Sequence, residues 1–275
     1  MMKTNQLHNG DKVPSLGLGT WKSEPGKVYE AVLEAIRVGY RHIDCAPIYE
    51  NEIEVGAAIE QAIKQGLVRR EELWITSKLW NSYHARYDVI KGLEISLIDL
   101  KRDYLDLYLV HWPVAQRAGS TFPDSVDDLL SLEEVPLAET WQGMEAVVGE
   151  GLVRHIGVSN FGIKNLSSLL DEATMQPVVN QVETHPYLQQ NDLQTFCREN
   201  DISITAYSPL GSSDRPDFIR RQNEPMLLKD PVIHALAQAN DCAPAQILIA
   251  YALQRENIVI PKSTHAGRIL ENYWA

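Results

Sequence analysis

HIDCAPIYEN (42–51) reads as a short strand closing on a carboxylate, Asp44, with Tyr49 five residues further on. Three other stretches repeat the plan. LWITSK (73–78) ends in Lys78, LDLYLVHWP (105–113) carries His111 just past its apolar run, and HIGVSN (155–160) ends in Ser159-Asn160. Strands that each deliver a polar group at their carboxyl end suit a (β/α)8 barrel, where functional groups gather at that end of the sheet.

The rest of the chain agrees. Short apolar strands are expected at 16–19, 41–44, 73–78, 104–110, 153–158, 178–183, 202–207 and 257–261. Helical periodicity is expected at 27–38, 51–65, 86–100, 137–150, 162–172, 189–199, 231–254 and 265–273, with 231–254 broken into two pieces near Pro244. Eight β-then-α units predict a parallel sheet with outer helices, and that count favours a closed TIM barrel over an open sheet. LHNGDKVPSLGLG (7–19) opens with Asn9-Gly10, a hairpin signal, so an N-terminal β-hairpin precedes the barrel. Two long connections, 112–135 and 208–230, fall at the carboxyl face, where long loops serve a ligand. A length of 275 residues is usual for one such barrel, so residues 1–275 are expected to form a single domain.

Composition narrows the function. A net charge of −12 with no basic stripe speaks against nucleic acid as a partner. Apolar runs such as ILIAYAL (247–253) are too short to cross a membrane, and the start, MMKTNQLHNG, lacks the apolar core of a signal peptide. Cys45, Cys197 and Cys242 are odd in number and widely spaced, which argues for a reducing, cytoplasmic setting and for small buried thiols over disulfides.

Taken singly, each polar group has an ordinary reading. Asp44 could cap a helix, Tyr49 could pack, Lys78 could sit in solvent, and His111 could be half-buried. Together they acquire complementary roles. A phenol titrates near ~10 and is a weak acid at neutral pH. An ammonium beside it is expected to lower that value, a carboxylate keeps the ammonium charged, and an imidazole orients a carbonyl. That set suits proton delivery to a carbonyl oxygen becoming an alkoxide. A metal-dependent hydrolase is the competing chemistry. His42 and Asp44 share a strand face, and His111, His155 and His185 lie on or after other strands. No strand carries a His-x-His pair and no Cys/His set has zinc spacing, so no metal is expected. Gly17-Leu18-Gly19 lacks the third glycine of a dinucleotide fingerprint. VIPKSTHAGRILEN (259–272), in contrast, puts Lys262, Ser263, Thr264 and Arg268 around a strand-to-helix junction. The loops after the last barrel strands often hold phosphate there.

GYRHIDCAPIYENEIEVG (39–56), LVRHIGVSNFG (152–162) and IPKSTHAGRILEN (260–272) resemble the aldo-keto reductase superfamily, in its aldose and aldehyde reductase branch, and the likeness runs from about Gln6 to Asn272. The resemblance implies a monomeric or weakly associating barrel that binds NADP(H) in an extended pose. It implies a catalytic tetrad of Asp44, Tyr49, Lys78 and His111. It further implies Thr20 and Trp21 bordering cofactor and substrate, Ser159, Asn160 and Gln181 on the nicotinamide carboxamide, and Tyr207 stacked on the nicotinamide ring. Ser208, Leu210, Ser212 and Asp214 of SPLGSSD (208–214) would contact the pyrophosphate. Lys262, Ser263, Thr264 and Arg268 would hold the 2′-phosphate, with Glu271 and Asn272 at the adenine. Trp21, Trp80, Trp112 and Phe122, with His111, would line an apolar pocket for a small carbonyl substrate.

The implied activity is NADPH-dependent reduction of aldehydes, with ketones or sugars as further substrates. The alternative is an NADP(H)-binding regulatory or structural barrel with little turnover, against which the complete tetrad argues. Such relatives usually continue with a tail folded over the active site, whereas this sequence stops at Glu271-Asn272-Tyr273-Trp274-Ala275. The expectation is therefore a natural chain reaching beyond Ala275, or an open pocket.

Overall fold

A computed structural model describes residues 3–119, 121–123, 125–212, 215 and 225–275. Its strands in chain order are β1 (Thr4–Gln6), β2 (Lys12–Pro14), β3 (Leu18–Gly19), β4 (His42–Asp44), β5 (Trp74–Leu79), β6 (Leu105–Val110), β7 (Ala115–Gln116), β8 (Leu129–Leu130), β9 (Val153–Ser159), β10 (Val179–Glu183), β11 (Ser203–Tyr207) and β12 (Ile258–Val259). The helices are α1 (Val28–Val38), α2 (Glu52–Lys64), α3 (Val89–Leu100), α4 (Leu137–Gly149), α5 (Ile163–Leu170), α6 (Asn191–Glu199), α7 (Pro231–Ala239), α8 (Pro244–Gln254) and α9 (Ala266–Tyr273).

The sheet runs β3-β4-β5-β6-β9-β10-β11-β12, parallel throughout. It closes on itself. Leu16 bridges Val259 in parallel, Gly17 N donates to Val259 O at 2.8 Å, and Val259 N donates to Ser15 O at 2.8 Å. The fold is thus the (β/α)8 barrel read from the sequence. Closure depends on small residues where strands meet. A Cβ on Gly17 would stand 2.8 Å from the His42 ring, and one on Gly157 would stand 2.7 Å from Val179 O.

Helix boundaries follow local chemistry. Gly39, at φ +123°, ends α1 in a conformation that disfavours a side chain. Asp230 caps α7 by accepting from Val232 N at 2.7 Å and Ile233 N at 3.2 Å, with Pro231 in the first turn. Pro244 opens α8, which is the expected break in 231–254.

The hairpin β1–β2 closes the amino end of the barrel. Leu7 and Val13 are buried there with Trp74, Leu107, Leu109 and Ile258. His155 stacks on Trp74 at 5.2 Å and lies 3.2 Å from Asp11 of the hairpin. The larger core lies between strands and helices and includes Ile36, Ile43, Ile59, Leu93, Trp141 and Ile249.

The connection 112–135 carries a short antiparallel ribbon among its described residues. β7 and β8 pair antiparallel within it, and the Trp80 indole donates to Thr121 O at 2.8 Å. Among the described residues no helix is long and apolar enough to cross a membrane.

Candidate active site

Asp44 is the last residue of β4, and Lys78 sits one residue from the end of β5, so both project at the carboxyl face. The chain after Asp44 turns through a single 3-10 turn, Pro47–Tyr49, closed by Glu50 at φ +57°. That turn brings Tyr49 back over the end of β5. Lys78 is 0 % exposed, and its ammonium donates to Asp44 Oδ1 at 2.6 Å, Cys45 O at 2.8 Å and Tyr49 Oη at 3.1 Å. All three of its protons have acceptors, so its position is determined on every side. The second Asp44 oxygen accepts from the Gln181 amide at 2.7 Å.

Burial opposes the charge on Lys78, but Asp44 and Tyr49 outweigh it and hold its pKa above the usual lysine value. The phenol behaves differently from the sequence expectation. Burial pushes Tyr49 up to about 12, although Lys78 pulls it down. The lysine limits the rise without reversing it, because desolvation of a phenolate in this pocket is the larger effect. Tyr49 is therefore a protonated phenol at neutral pH. His111, directly after β6, is held well below the usual imidazole range by burial, with Lys78 and then His84 adding to the effect. It is a neutral ring, edge-on to Tyr49 at 5.9 Å and to Trp80 at 5.2 Å. Its Nδ1 is buried with no hydrogen-bond partner among the described residues.

The other expected residues fall into three groups around this centre. The first is an amide and hydroxyl array at the ends of β9, β10 and β11. Tyr207 Oη donates to Asn160 Oδ1 at 2.9 Å, and Asn160 Nδ2 donates to His111 O at 2.9 Å and Ser159 Oγ at 3.1 Å. Ser159 Oγ in turn donates to Gln181 O at 2.8 Å. Asn160 stands at φ +62° and Ser208 and Ser212 at φ +46° and +41°, a cost that non-glycine residues carry only where surroundings enforce it. Leu210 is half-buried beside them, and Asp214 lies outside the described residues.

The second group follows β12. Lys262 is half-buried, Ser263 is buried, and Thr264 and Arg268 are exposed beside the start of α9. Ser263 Oγ accepts from His265 N at 3.1 Å. Glu271 is exposed and Asn272 buried on the same helix.

The third group is aromatic. Trp80 meets Phe122 edge-on at 5.7 Å, and His111 stacks near Trp112 at 6.4 Å. Phe122 is 63 % exposed and Trp112 40 %, so these rings form an open apolar rim. Trp21 is exposed to a similar degree, with Lys22 Nζ 4.7 Å above its ring. Thr20 is fully buried and donates to Asp44 O at 2.8 Å.

Sequence reasoning missed two parts of the centre. The Cys45 carbonyl, which accepts from Lys78, leaves no side-chain signature. Asn51, whose amide donates to Thr20 O at 2.9 Å, carried a signal in its place directly after Tyr49-Glu50. The histidines do not converge as a metal centre would. His42 bonds Thr76 at 3.2 Å, His155 faces the hairpin, and His185 lies 3.1 Å from Glu183. Among the described residues no group of three or more histidine, cysteine or acidic side chains could hold an ion.

Comparison with known proteins gives one answer. A profile of the aldo/keto reductase family matches residues 15–275. An aldo/keto reductase of Synechocystis sp. is 52% identical over 271 residues, spanning 98% of this chain and 83% of that protein. Aldo-keto reductase family 1 member A1 of Homo sapiens is 50% identical over 268 residues, spanning 97% of this chain and 82% of that protein. Among solved structures, the aldose reductase of Schistosoma japonicum superposes with a TM-score of 0.89 at 39% identity, covering 98% of this chain and 86% of that one.

Proposed function

We propose that this chain, which belongs to the aldo/keto reductase family, is an NADPH-dependent reductase of aldehydes, and of some ketones or sugars, that protonates the carbonyl oxygen from Tyr49. One observation carries the reading: the buried Lys78 ammonium touches both Asp44 Oδ1, at 2.6 Å, and Tyr49 Oη, at 3.1 Å. A phenol in contact with a fixed ammonium can give up its proton and remain as a stabilised phenolate.

The donor set suits a nicotinamide dinucleotide. Ser159, Asn160 and Gln181 offer the amide and hydroxyl groups that pair with a primary carboxamide, and Tyr207 offers a ring beside them. Ser208, Leu210, Ser212 and Asp214 would border the pyrophosphate. Lys262, Ser263, Thr264 and Arg268, at the start of α9, would hold a 2′-phosphate through charge and hydrogen bonds, with Glu271 and Asn272 at the base. NADPH, when bound, supplies the hydride.

The chain's own groups do the rest. Neutral His111 donates a hydrogen bond that orients the carbonyl. Tyr49 holds a proton at Oη and delivers it to the carbonyl oxygen as negative charge develops there. Lys78 stabilises the phenolate left behind, and Asp44 keeps Lys78 charged and in place. Thr20, Trp21, Trp80, Trp112 and Phe122 would shape the apolar entrance that receives the substrate. The same reading takes the protein to work as a monomer in the reducing cytoplasm, where the unpaired thiols of Cys45 and Cys197 are at home.

Tyr49→Phe tests the assignment. Loss of NADPH absorbance with an aromatic aldehyde should slow by about 10²–10⁴-fold, the usual worth of a positioned general acid. NADPH binding, followed by fluorescence quenching, should barely change. A variant with near-wild-type kcat at saturating NADPH would remove Tyr49 from the mechanism.

A further inference from the structure

Behind Lys78 lies a second buried carboxyl, Glu52. Strand alternation sends Lys78 into the barrel and Ser77 outward to the helix layer. There Ser77 Oγ donates to Glu52 Oε1 at 2.6 Å and lies 3.2 Å from Ser96 Oγ of α3. Glu52 is 2 % exposed, and its other oxygen has no partner among the described residues. An incompletely paired carboxyl is costly in such a place, where a methyl group would pack without penalty. Its surroundings are Ser77 and Lys78 on β5, Ser96 and Asp99 on α3, Tyr108 on β6 and Cys45 after β4. Burial pushes the carboxyl up to about 7, the two serine hydroxyls pull it down, Asp99 raises it and Lys78 lowers it.

Its place in the chain gives the carboxyl a task. Glu52 opens α2 three residues after Tyr49, and the link between them passes through Glu50, at φ +57°, and Asn51, whose amide donates to Thr20 O. Among the described residues, two side-chain hydrogen bonds join segment 49–52 to β5. One is the Tyr49–Lys78 contact itself, and the other is Glu52–Ser77. The second fixes one end of a four-residue segment whose other end carries the phenol. It grips the residue adjacent to Lys78.

We propose that Glu52 is a positioning residue that holds Tyr49 at contact distance from Lys78 by gripping Ser77. This rests on the reading of Tyr49 as proton donor. Without the grip, the turn and the strand can drift apart, and a displacement near 1 Å can cost a reaction about 100-fold. A loosened phenol changes both its contact with Lys78 and its burial, so the pH at which it loses its proton shifts.

The test uses the full chain with NADPH and an aromatic aldehyde. Glu52→Ala and Ser77→Ala should each lower kcat by about 10-fold or more, with the NADPH dissociation constant and aldehyde KM changed by less than about threefold. The alkaline limb of the reduction profile should shift from its wild-type position. Glu52→Gln, which can still bond Ser77, should restore kcat to within about threefold of wild type. If Glu52→Ala fails to fold, Ser77→Ala and Glu52→Gln decide between the outcomes. Variants that melt at lower temperature but keep kcat and the alkaline limb would make Glu52 purely structural and overturn the proposal. In that case an inactive Tyr49→Phe would leave the proton-donor reading standing. An active Tyr49→Phe would remove both.

Discussion

Asp44→Asn should expose how much of the site depends on one buried charge. The substitution keeps the shape of the side chain. Gln181 can turn its own amide so that its oxygen accepts from the new amide nitrogen, and that hydrogen bond survives. The Lys78 ammonium, 0 % exposed, keeps three acceptors, the new amide oxygen, the Cys45 carbonyl and the Tyr49 hydroxyl, but loses the carboxylate charge that faces it. Removing one partner of a buried ion pair costs about 3–5 kcal/mol. At roughly 2–4 °C per kcal/mol for a domain somewhat smaller than this one, the melting temperature at pH 7 should fall by about 6–20 °C. In the wild type the folded pKa of Lys78 is raised, so its contribution is complete below the unfolded lysine value near 10.4. It disappears only as pH rises through the still higher folded value. In the variant, burial dominates and depresses the folded pKa below the unfolded one. The unfolded chain then binds more protons across that interval, and the variant gains stability as pH rises through it. The gap between the two proteins should be widest near neutrality and narrow towards pH 10. Thermal melts and urea titrations between pH 6 and pH 10 measure it, beside aldehyde turnover, which should fall with the displaced lysine charge. A gap below about 1 kcal/mol, or one that stays constant with pH, would refute the account of Lys78 as a buried ammonium held charged by Asp44.

Two further outcomes follow from other parts of the molecule. Arg268→Ala should weaken NADPH by about 10–100-fold, the worth of one charge-assisted contact, and leave NADH within about twofold; fluorescence titrations showing equal losses would contradict a 2′-phosphate role. Gly56→Ala would bring a Cβ within 2.6 Å of Asp99 O and Leu100 O, backbone atoms at the end of α3 that cannot swing aside, so stability should drop by about 1–3 kcal/mol in denaturant titrations with little effect on cofactor preference.

What the sequence disclosed follows the range of the interactions involved. β4, β5, β6 and β9–β11 were legible because their apolar runs end abruptly in polar residues, and the observed ends lie within one or two positions of the expected ones. The break at Pro244 was legible because proline acts locally. The β7–β8 ribbon was not, since two-residue strands have no period to detect. Within the site, Asp44 and Lys78 were read at strand ends and Tyr49 five residues past Asp44, and the Lys78 ammonium touches both of the others. The direction of the Tyr49 shift was not foreseeable, because desolvation depends on everything packed around the phenol, whereas the lysine could be named from the motif. The Gln181–Asp44 bond was equally hidden, since it joins residues 137 positions apart and each had been read only for its own role.

The site is best understood as one hydrogen-bonded chain laid across five strands. It runs from Tyr207 on β11 to Asn160 and Ser159 at the end of β9, and through Ser159 to Gln181 on β10. From Gln181 it passes to Asp44 on β4, then Lys78 on β5, and ends at Tyr49. Asp44 is the pivot, because one of its oxygens serves the amide side and the other the proton-donor side. Under the proposed reading, the groups that seat the hydride donor and the group that delivers the proton are thus referenced to a single carboxylate. Barrel closure gives that arrangement its stiffness. With Leu16 bridged to Val259, the sheet has no free edge, so no one strand can slide without breaking ladders on both sides. Transition-state stabilisation by fixed dipoles and charges requires little reorganisation during the reaction. A cation with three acceptors, a carboxylate with both oxygens engaged and a closed sheet beneath them meet that requirement before any substrate arrives.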